Sequence, residues 1–159
     1  MRRMETTLQV GDVLLRDYNH ISDSDFLYST WIKSFRDSGF CRAVPTPIYN
    51  RSQRERVRAL LEKDFTYVLV ACSPETPELI YGYAVGEARN VLHYVYVKKD
   101  YRGQGIGKRL LSHLLDHSTN NPVLYTHKSA DIAHEALLKE RDELRNWIYD
   151  PYWIEREQG

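Results

Sequence analysis

One segment of the sequence places glycines and basic residues directly after an apolar, strand-like stretch. Residues 91–98 are VLHYVYVK, and after a short loop residues 102–109 are RGQGIGKR. Glycines let the backbone approach a ligand closely, because they carry no Cβ atom. The first N–H groups of a helix have no partner within that helix and, together with the helix dipole, they attract anions. The segment therefore predicts a binding site for a phosphate or pyrophosphate.

Three types of phosphate-binding loop can be compared with this segment. A Walker-type loop requires glycine where Arg102 stands, and a Ser or Thr where Arg109 stands. A dinucleotide fingerprint requires glycine at Lys108 and an acidic residue about 20 positions later, where two asparagines stand. The third type is the R/Q-x-x-G-x-G/A loop of acyl-CoA-binding acetyltransferases, and Arg102, Gly105 and Gly107 fill its fixed positions. Only the third pattern fits.

On these residues the chain resembles the GNAT superfamily of acyl-CoA N-acyltransferases, most closely over residues 79–115 and in element order from about residue 10 to 155. The strand at residues 91–98 is also similar to that of small phage-encoded members. The resemblance implies an α/β (α+β) fold, with a mixed, mostly antiparallel sheet, splayed central strands and flanking helices. It implies acetyl-CoA as co-substrate and no metal. A glycine turn that only connects two elements is the alternative interpretation.

The resemblance also indicates which residues would bind the cofactor. In GNAT proteins the strand before the loop separates from its neighbour, here residues 123–127, and the pantetheine arm pairs with the exposed backbone. Main-chain groups at Val95 and Val97 would contact the acetyl and pantetheine amides, and an N–H near Val95 would polarise the thioester carbonyl. The backbone from Arg102 to Lys108 would hold the pyrophosphate. The complete set of cofactor-binding candidates is Val95, Tyr96, Val97, Arg102, Gly103, Gln104, Gly105, Ile106, Gly107 and Lys108.

Acyl transfer to an amine also requires a base that removes a proton from the ammonium group. Many GNAT members carry a glutamate six residues before the Val97 position, but Val91 stands there. His93 lies where some members carry a catalytic histidine, and an imidazole takes up protons near neutral pH. Glu87, at the end of the preceding strand, is the alternative base. A hydrogen-bonded histidine packed in the sheet and a solvated strand end are the purely structural interpretations.

The sequence does not identify a general acid. The tyrosine that the family usually places in its last helix is replaced by Leu137 or Leu138 when Lys139 is aligned with the family pattern. Departure of the thiolate without an acid is one alternative. The tyrosines that offer another are Tyr125, Tyr149 and Tyr152.

Composition excludes several classes of protein. The length of 159 residues suits one domain, residues 1–159, and 22 basic against 22 acidic residues give no general attraction to nucleic acid or anionic membranes. No apolar run reaches the roughly 18 residues of a membrane span, and no apolar stretch follows the basic N-terminus as in a secretory signal. Cys41 and Cys72 lie far apart, which argues against a disulfide scaffold or a zinc site. We therefore expect a cytoplasmic protein.

Hydrophobic spacing predicts the elements that position these residues. Strands are predicted at residues 13–18, 66–73, 79–87, 91–98 and 123–127. Helices are predicted at residues 24–37, 51–63, 105–117 and 130–144, the first with Asp23 as its N-cap. The two prolines in residues 41–50 predict a loop there, and residues 147–154 are predicted to form one or two short strands.

Strict alternation in the strand at residues 91–98 predicts which side chains share a face. One face would carry Val91, His93, Val95 and Val97. The opposite face would carry Leu92, Tyr94 and Tyr96.

These observations favour an N-acetyltransferase that moves an acetyl group from acetyl-CoA to an unidentified primary amine by direct attack in a ternary complex. A catalytically silent CoA-binding or protein-interaction module is the alternative, because the family's usual Glu and Tyr are missing. Modification of an amine on a nucleic-acid base is less favoured, since an arginine-rich stretch at residues 51–58 is its only support. A homodimer is compatible with the sequence.

Overall fold

A seven-stranded sheet connects the elements of the described chain. The structure is a computed structural model, and it describes residues 8–10, 12–87, 90–115, 122–128 and 147–158. Strands β1 to β5 pair in antiparallel fashion, whereas β5–β6 and β6–β7 are parallel. The strands are β1 (Leu8–Val10), β2 (Val13–Asp17), β3 (Thr66–Cys72), β4 (Ile80–Glu87), β5 (Val91–Val97), β6 (Val123–Tyr125) and β7 (Trp147–Tyr149).

Helices cover both faces of this sheet. They are α1 (His20–Asp37), α2 (Thr46–Glu62), α3 (Ile106–Leu114) and α4 (Trp153–Gln158), with a short 3-10 turn at Lys99–Tyr101. Helices α1 and α2 enclose an aromatic cluster in which the Trp31 and Tyr94 rings stack with centroids 4.9 Å apart. On the other face, Leu110 of α3 packs with Val95 and Val97. The core therefore lies in two layers, one on each side of β3, β4 and β5.

The predicted order of elements is confirmed over the described residues, with one added strand at the start and one added helix in the tail. Strand β1 was not predicted, because a three-residue strand carries too little alternation to recognise. Of the one or two short strands predicted at residues 147–154, one is present as β7, and helix α4 follows it. Asp150 accepts from the Tyr152 N–H at 3.1 Å, and this turn starts α4. The helix predicted at residues 130–144 lies outside the described residues.

Helix α2 begins earlier than predicted. The loop expected over residues 41–50 is wrong in its second half, because α2 starts at Thr46 with Pro45 as its N-cap residue. Pro47 lies in the first turn of α2. Proline is well tolerated there, since the first N–H groups of a helix have no intrahelical partner and the proline ring already has a helical φ.

The N-cap of α1 is Asn19, and the prediction of Asp23 was wrong. The Asn19 side chain accepts from the Ile21 N–H at 3.0 Å and the Ser22 N–H at 3.4 Å. Asp23 is buried and accepts two hydrogen bonds from the Arg16 guanidinium, at 2.7 and 2.9 Å. Asp23 therefore ties α1 to β2 through a charge-assisted pair, and it also accepts from the Asn19 N–H at 2.7 Å.

A β-bulge interrupts the pairing of β4 with β5. Val85 pairs with Tyr94 and Gly86 with Leu92, so His93 is an extra residue on β5. A one-residue shift moves the following side chains to the other face of a sheet. His93 consequently shares the α1/α2 face with Tyr94, where its ring lies 5.7 Å from that of Trp153. The prediction that His93 shares a face with Val95 was wrong for this reason.

The side chains of Asn19 and Asp23 at the start of α1 should contribute different amounts to the stability of the fold. Asn19→Ala removes one cap and should lower the free energy of unfolding by about 1 kcal/mol. Asp23→Ala leaves the Arg16 guanidinium without its partner and should cost about 3 kcal/mol. Urea unfolding of both variants beside the wild type measures the difference. Equal losses, or a larger loss for Asn19→Ala, would contradict this assignment of the two side chains.

Candidate active site

Strands β5 and β6 pair only at their beginning. Their ladder consists of Val91 opposite Leu124 and Leu92 opposite Tyr125, followed by a bond from the Thr126 N–H to the Leu92 carbonyl at 3.1 Å. Strand β5 nevertheless continues to Val97. The two strands therefore stop pairing just after the bulge. In the part of the chain that the structure describes, the edge of β5 away from β4 has no strand partner along its second half, and we call this edge the cleft.

The backbone groups of Val95 and Val97 point toward this cleft. The Lys98 N–H donates to the Tyr81 carbonyl on the β4 side at 2.8 Å. Because neighbouring residues of a strand present their N–H and C=O groups to opposite edges, those of Val97 and Val95 face away from β4. The Val97 carbonyl accepts a bond from Arg102 Nε at 2.8 Å, which fixes the bend against the end of β5.

The bend after β5 has the backbone geometry that its glycines predict. Gly103 and Gly105 both have φ of 79°, a left-handed conformation that favours glycine, and Gly105 is the N-cap residue of α3. Residues Gly103, Gln104 and Gly105 are exposed, whereas Ile106 is buried in the cluster with Val97. The side chain of Ile106 thus anchors the helix beside the exposed backbone of Gly103 to Gly105.

The two candidate bases, Glu87 and His93, form one hydrogen-bonded pair. A Glu87 carboxylate oxygen lies against His93 Nε2, and the two residues are 7% and 1% exposed. The bulge brings them together, since it turns His93 to the α1/α2 face where Glu87 ends β4. The sequence offered them as alternatives, but the structure makes them partners.

Two further residues extend this pair, and sequence analysis missed both. Thr126 Oγ1 lies 2.9 Å from His93 Nδ1 and 2.8 Å from His127 Nδ1. The His127 ring packs edge-on against Trp31 and Phe35. The only sequence signal was a Thr-His pair at the end of a predicted strand that the family resemblance placed beside the cleft.

Burial governs the protonation of both histidines. It lowers the pKa of His93, against the opposing effect of the Glu87 carboxylate, so that the net shift is downward. It lowers the pKa of His127 well below the usual value of histidine. Both imidazoles are therefore neutral near pH 7.

A cavity of about 310 Å³ lies next to His127. Its walls come from α1 and the loop after it, α2, the end of β6, β7 and α4. They are formed by Phe35, Phe40, Gln53, Arg56, Thr126, His127, Tyr149, Pro151, Tyr152 and Glu155. Two of the three tyrosines considered as general acids, Tyr149 and Tyr152, line it, whereas Tyr125 packs on Tyr149 with ring centroids 5.3 Å apart. Burial raises the pKa of Tyr149, which keeps its hydroxyl proton in place.

Two arginines of the arginine-rich stretch of α2 contact other parts of the chain. Arg56 forms an ion pair with Glu155 of α4, and the Arg54 guanidinium lies 5.3 Å from the centroid of the Tyr28 ring. These contacts fit a solvated helix that packs on its neighbours.

Metal and membrane features were also sought in the part of the chain that the structure describes. There, no group of three or more His, Cys, Asp or Glu side chains could hold a metal ion. None of the described helices is both long and apolar enough to cross a membrane.

Comparisons with known proteins agree with this geometry. Residues 64–141 match the family model described as an acetyltransferase (GNAT) domain. No curated protein matches the sequence significantly. Among solved structures, an acetyl transferase from Pyrococcus furiosus is 14% identical, with a TM-score of 0.51 over 92% of this chain and 90% of that one. This likeness confirms the predicted fold.

Two further solved structures are more distant in shape. The PaiA N-acetyltransferase from Thermoplasma acidophilum, in complex with coenzyme A, is 19% identical with a TM-score of 0.45 over 65% of this chain and 69% of that one. A GNAT family acetyltransferase from Staphylococcus aureus is 15% identical with a TM-score of 0.43 over 88% and 87%.

The lowered pKa values of His93 and His127 predict a pH-dependent stability. Below about pH 6.5 the unfolded chain binds protons that the folded chain does not, so stability present above that pH is lost as the pH falls. We expect the Tm to fall between about pH 7 and pH 5, and to fall less in His127→Phe, whose ring can pack on Trp31 and Phe35. Thermal unfolding across this range measures the slopes. His20→Asn, on an exposed helix position, controls for loss of a histidine, and parallel curves for wild type and His127→Phe would contradict the prediction.

Proposed function

Because this chain belongs to the GNAT acetyltransferase superfamily, we propose that it transfers an acetyl group from acetyl-CoA to a primary amine by direct attack in a ternary complex. The observation that carries the proposal is the divergence of β5 from β6 immediately before the glycine bend. A cleft bordered by strand backbone suits an extended amide-containing arm, and a left-handed bend at a helix start suits a pyrophosphate.

The cofactor would lie along β5. In this proposal, main-chain groups of Val95 and Val97, with Tyr96 between them, pair with the amides of the pantetheine arm. The backbone from Arg102 to Lys108 binds the pyrophosphate, with Gly103, Gln104, Gly105, Ile106 and Gly107 contributing N–H groups. Tyr96 positions the strand between these two contacts, because its main-chain groups face β4 and its ring packs against Tyr83 on the α1/α2 face with centroids 5.7 Å apart. The Val95 N–H, which faces the cleft, would donate to the thioester carbonyl oxygen as negative charge develops there.

The reaction removes one proton from the acceptor and replaces the C–S bond of the thioester with a C–N bond. The ammonium group of the acceptor loses a proton, its nitrogen attacks the thioester carbonyl carbon, and the C–S bond then breaks. The Glu87–His93 pair is proposed to accept this proton. The departing thiolate leaves either unaided or with a proton from Tyr149 or Tyr152, which line the cavity.

The remaining parts of the proposal concern the whole chain. We treat residues 1–159 as one domain that acts in the cytoplasm on a primary amine, with no role for a metal, a membrane or nucleic acid. A homodimer is compatible with it. The competing function, a silent CoA-binding or protein-interaction module, would show itself as acetyl-CoA binding without transfer to any member of a panel of amines.

Replacing Gly105 tests the cofactor site. Gly105→Leu forces a side chain onto a left-handed backbone at the N-cap of α3, so coenzyme A affinity should fall by at least about tenfold. Isothermal titration calorimetry with coenzyme A measures the dissociation constant. Gly39→Leu is the matched control, because Gly39 also has a positive φ (112°) but lies in the loop after α1. Unchanged affinity in Gly105→Leu would contradict the proposed pyrophosphate site.

Replacing His93 tests the base. His93→Ala should lower kcat by about 100-fold while acetyl-CoA affinity is retained, because only proton transfer is impaired. His93→Gln keeps polar groups that can bond Glu87 and Thr126, and it separates a loss of proton transfer from a loss of folding. An unaltered pH–rate profile in both variants would remove His93 from the mechanism.

A further inference from the structure

His93 is too enclosed to meet the acceptor itself. Its ring is 1% exposed, and its two nitrogens already contact Glu87 and Thr126 Oγ1. The polar chain does not end there, because Thr126 Oγ1 also contacts His127 Nδ1 and His127 lines the cavity. Four side chains therefore connect the buried carboxylate with the cavity wall.

The donor and acceptor properties of these four side chains fix the direction of each hydrogen bond between them. An ionised carboxylate only accepts hydrogen bonds, so the neutral His93 carries its proton on Nε2 and accepts at Nδ1. The Thr126 hydroxyl has one proton, which it donates to His93 Nδ1, and it therefore accepts from His127 Nδ1–H. The His127 ring also hydrogen-bonds to the His93 backbone. With its proton on Nδ1, a neutral His127 has its lone pair on Nε2, the ring nitrogen that does not contact Thr126.

On the basis of the proposed function, we propose that His127 is the catalytic base and that Thr126 and His93 relay its proton to Glu87. The cavity beside His127 would hold the acceptor amine. Its volume of about 310 Å³ is at the lower end of small-molecule sites. Its aromatic walls, Phe35, Phe40, Tyr149 and Tyr152, attract an ammonium group. The acceptor class is therefore a small primary amine.

The relay conserves protons at every step. The ammonium N–H bond breaks and a bond to His127 Nε2 forms, while the Nδ1 proton of His127 moves to Thr126 Oγ1. The Thr126 hydroxyl proton moves to His93 Nδ1, and the Nε2 proton of His93 moves to Glu87. The acceptor becomes a neutral amine and the carboxylate becomes a neutral acid, so no net charge remains on either histidine.

This outcome suits a buried site. Placing a charge on His127, which is 5% exposed, costs free energy unless the charge is paired. The relay avoids that cost because the positive charge of the ammonium and the negative charge of Glu87 are removed together. The charged groups nearby are engaged with other partners: Arg56 pairs with Glu155 at the cavity, and Lys63 Nζ lies 5.0 Å from the centroid of the Trp153 ring.

The test compares Thr126→Val with Thr126→Ser, since valine keeps the shape and removes the hydroxyl while serine retains it. With a small alkylamine, which is protonated at neutral pH, Thr126→Val should lower kcat by about 100-fold, and Thr126→Ser should stay within about threefold of wild type. Acetyl-CoA affinity should be the same in all three proteins. His127→Phe should behave like Thr126→Val.

A second acceptor distinguishes a loss of proton transfer from a change in the shape of the site. An O-alkylhydroxylamine is already unprotonated at neutral pH and needs no base before it attacks, so Thr126→Val should use it at close to the wild-type rate. Equal impairment with both acceptors, or wild-type activity of Thr126→Val with the alkylamine, would overturn the relay alone. A wild-type protein that binds acetyl-CoA but acetylates neither acceptor would overturn the proposed function, and the relay with it.

Discussion

The extra residue at His93 is the constraint on which the candidate site depends. A β-bulge bends the strand that carries it and increases its local twist. Here the bulge sits at the last residues of β5 that pair with β6, so the bend coincides with the point where the two strands part. The same residue turns its imidazole to the α1/α2 face and into contact with Glu87. One local irregularity in β5 thus accounts for both the cleft and the buried polar pair.

The buried polar chain has to be complete to be tolerated. Glu87, His93, Thr126 and His127 are all at most 7% exposed, and an unpaired polar group in such surroundings is costly. Each member of this series contacts the next, and the rings of Trp31, Phe35 and Tyr94 pack around His127. Two neutral histidines beside a carboxylate form a system in which a proton can shift while no new charge is buried. Such an arrangement is more informative about function than a single perturbed side chain would be.

The proposed cofactor site and the proposed acceptor cavity are built in different ways. Main-chain groups dominate the first, because the bend from Arg102 to Gly107 and the edge of β5 offer N–H and C=O groups whose geometry depends on φ rather than on side-chain identity. Side chains from α1, α2, β6, β7 and α4 build the second, and these elements are far apart in sequence. A backbone site of the first kind leaves a short, local pattern in the sequence, whereas a cavity of the second kind leaves none.

That difference separates what the sequence determined from what the tertiary structure decided. The strand–bend–helix unit around Arg102 to Lys108, the family and the order of elements followed from local patterns, since glycine conformation and hydrophobic period act between near neighbours. The predictions of the N-cap of α1, of the first residue of α2 and of the face of His93 were wrong, because competition for buried partners and a shift of strand register decided them. The contact of Glu87 with His93, and of this pair with Thr126 and His127, depended on the pairing of β4, β5 and β6. Contacts across a sheet are set by register and packing, and a single sequence does not encode those distances locally.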